Sequence, residues 1–186
     1  MLGVEDPLPH RPRRVLVAGA TGSGKTTLAR RIGAVLDLPV TEMDALHHGP
    51  SWTPRTEFMA DVETFSSADA WVSEWQYPEA RELLANRADT MVWLDVPTPV
   101  ALTRVVRRTV ERRLRDEELW NGNKEAPLRT VFTDPEHILR WAWRTRHLLH
   151  ELVPEVEETH PHLVIVRLHH RSDVDRFVTR LSAGVA

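Results

Sequence analysis

The chain has 186 residues, a net charge of −3 and no cysteine. That length suits one α/β domain with a sizeable core. The slightly acidic balance supplies no global basic field for nucleic acid, so a nucleic-acid partner is not expected, and the missing thiols exclude disulfides and thiolate metal sites. No apolar run approaches the ~20 residues of a membrane span. Pro7, Pro9 and Pro12 punctuate an N-terminal stretch without the apolar centre of a secretion signal. A soluble cytoplasmic protein is expected, with residues 1–12 as a flexible tail.

Residues 13–18 read as a short buried strand. Gly19-Ala20-Thr21-Gly22-Ser23-Gly24-Lys25-Thr26 follows and matches G-x-x-x-x-G-K-[ST], the Walker A pattern. A helix is predicted over 25–37, with Leu28, Ile32, Val35 and Leu36 on one face. Glycines let the backbone curl so that successive N–H groups point inward as a nest for phosphate oxygens. The unpaired amides and positive dipole end of the helix add to it. Gly19, Thr21, Gly22, Ser23, Gly24, Lys25, Thr26 and Thr27 are therefore the candidate nucleotide-binding set. Lys25 is placed to reach the β- and γ-phosphates of ATP, and the Thr26 hydroxyl to join Mg²⁺. Only two lysines occur in the chain, and one stands where an ammonium is wanted.

Further strands are predicted over 39–43, 70–74, 90–95 and 163–168. Helices are predicted over 55–67, 78–87, 98–117, 134–152 and 172–183, with Thr53-Pro54 and Asp134-Pro135 as helix starts. The alternation calls for a parallel sheet with crossover helices. Residues 121–127 form the most turn-rich internal stretch and the candidate mobile element.

In open parallel sheets ligands sit beyond the carboxyl ends of the strands. Asp44, Glu74 and Asp95 each follow or end such a strand. Asp44 is the candidate general base or substrate orienter. Asp95 closes Met91-Val92-Trp93-Leu94-Asp95, which has the Walker B form, and Glu74 is the alternative magnesium-linked carboxylate; one of the three acids is expected to serve only as a cap or turn former. On the 98–117 helix, Arg104, Arg108, Arg112 and Arg115 share a face opposite Ala101, Val105 and Thr109. Arg104 and Arg108 are the candidates to neutralise a phosphoryl group in flight. Arg81 is a candidate clamp for a substrate phosphate or carboxylate. Trp52, Trp75 and Tyr77 suit either an acceptor wall or the core. The histidines form no convincing metal set.

Four stretches carry a resemblance: residues 19–27; residues 43–52; Trp71-Val72-Ser73-Glu74-Trp75-Gln76-Tyr77; and Leu94-Asp95-Val96-Pro97 with Arg104 to Arg108. Together the chain resembles P-loop small-molecule kinases of the adenylate-kinase-like class, nearest to the branch of DNA topology modulation proteins and adenylate-kinase-related kinases. The resemblance implies a three-layer α/β/α sandwich of the P-loop NTPase type. Its five-stranded parallel sheet has order 2-3-1-4-5, in one domain over 13–184, with a lid at about 107–130. It also implies phosphate contacts for Arg104 and Arg108 and an acceptor-side role for Asp44. Where the branch has Asp-Gly-Asn-Tyr, this chain has Glu74-Trp75-Gln76-Tyr77, so an indole is expected to narrow the acceptor pocket. The Asp-Gly-x-Pro-Arg signature for nucleoside monophosphates is absent.

The expected activity is transfer of the γ-phosphoryl of MgATP to a nucleoside, nucleotide or hydroxylated metabolite held near Asp44, Glu74, Tyr77 and Arg81. The competing expectation is a nucleotide-dependent switch or weak ATPase acting through a protein or DNA partner.

Overall fold

Five short segments rich in Val, Leu and Ile pair into one sheet in the computed structural model, which describes residues 1–124, 126, 130–131, 133–134 and 137–184. They are β1 (Arg14–Gly19), β2 (Val40–Thr41), β3 (Trp71–Glu74), β4 (Thr90–Leu94) and β5 (Val164–Leu168). All pairings are parallel, in the order β2-β3-β1-β4-β5. Eight α-helices are described: α1 (Lys25–Leu36), α2 (Met43–His47), α3 (Phe58–Ser66), α4 (Pro78–Arg87), α5 (Thr98–Leu114), α6 (Ile138–Arg144), α7 (Leu148–Thr159) and α8 (Arg171–Ser182).

The period-two alternation of a strand divides the core into two layers. Leu16 and Ala18 of β1 face a cluster built with α2, α3, α4 and α7, through Met43, Val62, Leu84 and Val153. Val15 and Val17 face the opposite cluster with α1 and α8, through Leu28, Ile32, Phe177 and Leu181. Burying each such side chain stabilises the fold by about 1.5–3 kcal/mol. With β1 at the centre, the loop leaving it is flanked by the ends of β3 and β4, and so by Glu74 and Asp95.

The elements depart from the sequence expectations in four places. The second strand stops at Thr41, because Met43 turns its backbone N–H onto Glu74 Oε2 (3.2 Å) and buries its side chain, starting α2. Asp44 thus lies in a helical turn rather than at a strand end. Thr53-Pro54 does not start a helix. Gly49 N donates to Thr53 O (2.7 Å), and His48 bridges Pro54, so α3 begins only at Phe58. The 98–117 helix ends at Leu114, and Asp116 takes a left-handed φ of 50°. The 134–152 helix is two helices. The hydroxyl of Thr145 and the guanidinium of Arg146 take up the carbonyls of Trp141 and Trp143 and close α6. Pro135, Glu125, Pro127 and residues 128–129 of the expected lid lie outside the described residues.

The first residues are not a loose tail. Leu2 N donates to Ile165 O (2.7 Å), Arg167 N donates to Leu2 O (2.8 Å), and Leu2 pairs in parallel with Val166. Val4 and Leu8 pack on the α1–α8 core layer, and Arg180 donates to Val4 O. Leu2 and Val4 ahead of Pro7, with Leu8 between Pro7 and Pro9, supply this anchorage.

Candidate active site

The chain leaving β1 makes a tight curl that requires glycine. Gly22 has φ 84° and Gly24 φ 104°, a region L-residues rarely adopt. A Cβ on Gly22 would lie 2.3 Å from Ala101 O and 2.5 Å from Val105 Cγ2, so the curl is packed against α5. A Cβ on Gly24 would meet nothing within 4 Å. Gly24 caps α1 without a side-chain hydrogen bond, which leaves the first-turn N–H groups without a side-chain acceptor. Ser23 N donates to Ala20 O (3.0 Å), and Lys25 Nζ bends back to the same carbonyl at 3.4 Å. This donor-rich curl with an ammonium above it fits a polyphosphate. Thr27 is exposed at the first turn of α1, and Thr21 is half-buried in the curl.

Carboxylates surround the lysine. Thr26 Oγ1 donates to Glu74 Oε1 at 2.5 Å, while Glu74 Oε2 accepts from Met43 N. Glu74 is only 3% exposed. Burial raises its pKa, with Asp44 adding to the rise and Thr26, Lys25 and Met43 opposing it. Burial lowers the pKa of Lys25; Glu74 and Asp44 oppose that shift, and Arg108 adds to it. Lys25, Glu74, Asp44 and Arg108 thus lie within electrostatic reach of one another. The oxygens of Thr26 and Glu74 are the hard donors that Mg²⁺ prefers.

Asp95 has a different environment. Its Oδ2 accepts from Arg167 Nε (3.0 Å) and Nη2 (2.5 Å), and His169 Nδ1 lies 3.2 Å away; its Oδ1 lies 3.1 Å from His150 Nε2. The Arg167 guanidinium also stacks 4.6 Å from the Trp93 ring centroid. This carboxylate ties the ends of β4 and β5 to α7, and no described contact links it to Thr26.

Asp44 is held from β3's exit. Gln76 Nε2 and Tyr77 Oη both donate to its Oδ1, each at 2.6 Å. Tyr77 Oη also lies 3.0 Å from His48 Nε2, and the Tyr77 ring stacks on His47 at 3.9 Å. Burial and then the charge of Asp44 push the Tyr77 pKa far up, so it stays a donor at any physiological pH. No described hydrogen bond goes to Asp44 Oδ2. Arg81 Nε donates to Gln76 O (3.0 Å), and its guanidinium lies 5.4 Å from the Trp75 ring centroid. Trp75 does not narrow the pocket: it is buried beneath Arg81, and its indole N–H donates to Arg81 O.

Arg104 Nη1 reaches Ser23 O (3.2 Å), and so touches the glycine curl from α5. Arg112 instead stacks on Trp120 at 6.0 Å and neighbours Glu117, and Arg107 pairs with Glu111 in solvent. The turn after α5 is fastened to the segment following Asp44. Asn123, 4% exposed, accepts from Trp52 N (3.0 Å) and donates to Gly49 O (2.8 Å). Trp52 Nε1 donates to Lys124 O (3.1 Å). Of the expected aromatic wall, only Tyr77 and the exposed Trp52 lie at the surface of this region.

Sequence reasoning missed Gln76, His47, His48 and Asn123. Gln76 and the histidines adjoin stretches already marked by strand ends, and that proximity was their only local signal. Asn123 sat among turn-forming residues with nothing to separate it from them.

No family model matches this chain, and no curated protein matches it in sequence. Among solved structures the chain is similar to a gluconokinase from Sinorhizobium meliloti, with TM-score 0.52 and 19% identity over 95% of each chain. It is similar to a shikimate kinase from Acinetobacter baumannii in complex with shikimate, with TM-score 0.54 and 13% identity over 91% of this chain and 90% of that one. A shikimate kinase from Bacteroides thetaiotaomicron matches with TM-score 0.50 and 15% identity over 92% and 97%. With the strand order and the curl after β1, this likeness identifies the fold as the P-loop NTPase α/β/α sandwich that these small-molecule kinases share.

Proposed function

We propose that this chain is an ATP-dependent phosphotransferase acting on a small hydroxylated acceptor. The observation that carries the reading is a carboxylate, Asp44, held through one oxygen by Gln76 and Tyr77 and within electrostatic reach of the Lys25 ammonium. A held carboxylate can orient a water as well as a hydroxyl, so dependence of turnover on an acceptor is what separates the kinase from a simple ATPase. MgATP would supply the phosphoryl group and a divalent charge that Thr26 and Glu74 would hold. The curl from Gly19 to Thr27 binds the phosphate chain through its amides. Lys25, Arg104 and Arg108 neutralise charge on the transferred group. Asp44 accepts the acceptor hydroxyl's proton on Oδ2, while Gln76 and Tyr77 fix Oδ1. Tyr77 and Arg81 line the acceptor side. Asp95 serves the β4–β5 rim rather than the metal. The turn fastened by Asn123 covers the acceptor side and excludes water that would otherwise hydrolyse ATP. The four sequence stretches favour the branch of DNA topology modulation proteins and adenylate-kinase-related kinases within the class. A cytoplasmic setting accords with the lack of cysteine and with the absence, among the described residues, of a helix long and apolar enough to cross a membrane.

The test is ADP release from MgATP with and without a panel of hydroxylated acceptors, with phosphorylated products identified by mass. Acceptor-dependent release is expected. Slow basal hydrolysis, unmoved by any acceptor and altered by DNA or protein, would replace this reading with the switch.

A further inference from the structure

Arg81 is a half-buried cation whose described contacts use only part of it. Its Nε is anchored on Gln76 O, its plane rests near Trp75, and its Nη atoms make no described hydrogen bond. Among the described residues Glu79 is the carboxylate near enough to be felt, and it sits beside His47 at 3.6 Å rather than against Arg81. Burial lowers the Arg81 pKa, so the guanidinium is held partly out of water without a close counter-ion. Such a group costs free energy unless an anion completes it. The same Gln76 that anchors Arg81 by its backbone holds Asp44 by its side chain. One residue therefore spaces the base and the cation, with Asp44 Oδ1 and Arg81 Nε no further apart than about 13 Å from these contacts and bond lengths alone.

On the phosphotransferase reading above, we propose that the acceptor is a small hydroxy-carboxylate, its hydroxyl meeting Asp44 and its carboxylate meeting the Nη edge of Arg81. A guanidinium takes a carboxylate in a two-pronged fork. A phosphate monoester carries nearly two charges, and the carboxylates of Asp44, Glu74 and Glu79 all act on Tyr77, close to Arg81 in the chain, which disfavours a second negative charge there. An uncharged polyol would leave Arg81 uncompensated. In the transfer, the acceptor oxygen bonds to the γ-phosphorus as the bond to ADP breaks, and its proton passes to Asp44.

The experiment uses the full chain with MgATP and three matched sets. Glycerate is compared with glycerol and glycerol 3-phosphate, gluconate with sorbitol and glucose 6-phosphate, and shikimate with its methyl ester. ADP release and melting temperature are read for each. At least one carboxylate is expected to exceed its uncharged and phosphorylated counterparts about tenfold in kcat/KM. Arg81→Met should bring that ratio close to one, and Arg81→Lys should keep part of it. The ratio is internal to each variant, so a partly unfolded sample does not distort it. An uncharged or phosphorylated member acting as well or better overturns the proposal. So does a selectivity unchanged in Arg81→Met, or no response to any carboxylate in either readout. If MgATP still raises the melting temperature in that last case, the nucleotide site stands and only the acceptor class falls; if it does not, both readings fall.

Discussion

Glu74 and Asp95 end the strands on either side of β1, at the same rim of the sheet, yet they serve opposite ends. Glu74 is shut in with Thr26, Lys25 and the first amide of α2. Asp95 is met by Arg167, His150 and His169. A strand-terminal acid in a P-loop domain is therefore not assigned by its position or by four preceding apolar residues. The partner that reaches it from another element decides. On the β3 side that partner comes from α1, directly after the glycine curl. On the β4 side it comes from β5 and α7, which carry cations.

The contrast can be broken most sharply at the curl. Lys25→Met should remove the rise in melting temperature caused by MgATP and reduce turnover by about 10³-fold. Equal shifts in mutant and parent would dissociate the curl from nucleotide and leave the β3 side without its purpose. Next in size, Asp44→Asn should lower kcat by about 10²–10⁴-fold while the MgATP shift survives. An unchanged kcat would take Asp44 out of the chemistry and reduce the Gln76–Tyr77 support to a fold contact.

The two rim acids then separate by stability. The raised pKa of Glu74 means that its contribution to stability is full below its ordinary value of 4.5 and is lost as pH rises through the raised value. In nucleotide-free protein, Glu74→Gln should flatten that fall across a pH series of melting curves and should also weaken the Mg²⁺ dependence of turnover. A steeper fall would mean that the ionised form is the one the fold prefers. The smallest effect belongs to Asp95→Asn. Its partners are about half exposed and screened, so the loss should be about 1–2 kcal/mol. That corresponds to roughly 2–8 °C in melting temperature, with the Mg²⁺ dependence untouched. A shifted Mg²⁺ requirement would return Asp95 to the metal.

What could be read from sequence follows from how each part is built. The curl is contiguous and made of backbone, so glycines at fixed offsets and one lysine determine it, and α1 follows from a clear helical period. The proposed acceptor side is assembled from α2, the exit of β3 and the turn after α5. Asp44, Tyr77 and Arg81 were visible as chemistry-bearing residues at or shortly after the expected strand ends. Gln76, which joins them, carries no charge to mark it. Asp95 was open to a metal role because Arg167 and His150, which engage it, lie on distant elements. The break between α6 and α7 left the apolar period intact on both sides, so only the side chains of Thr145 and Arg146 reveal it.

The pairing of Leu2 with Val166 has a consequence for how molecules of this protein meet. A parallel sheet ends in two rows of unmatched amides and carbonyls, each a template for a stray strand. Here the β5 border is already occupied by the chain's own beginning, fastened by Arg180 and backed by Val4 and Leu8. Removing those few residues would bare a hydrogen-bonding row beside Ile165 and Arg167, and self-association through that border would become a hazard.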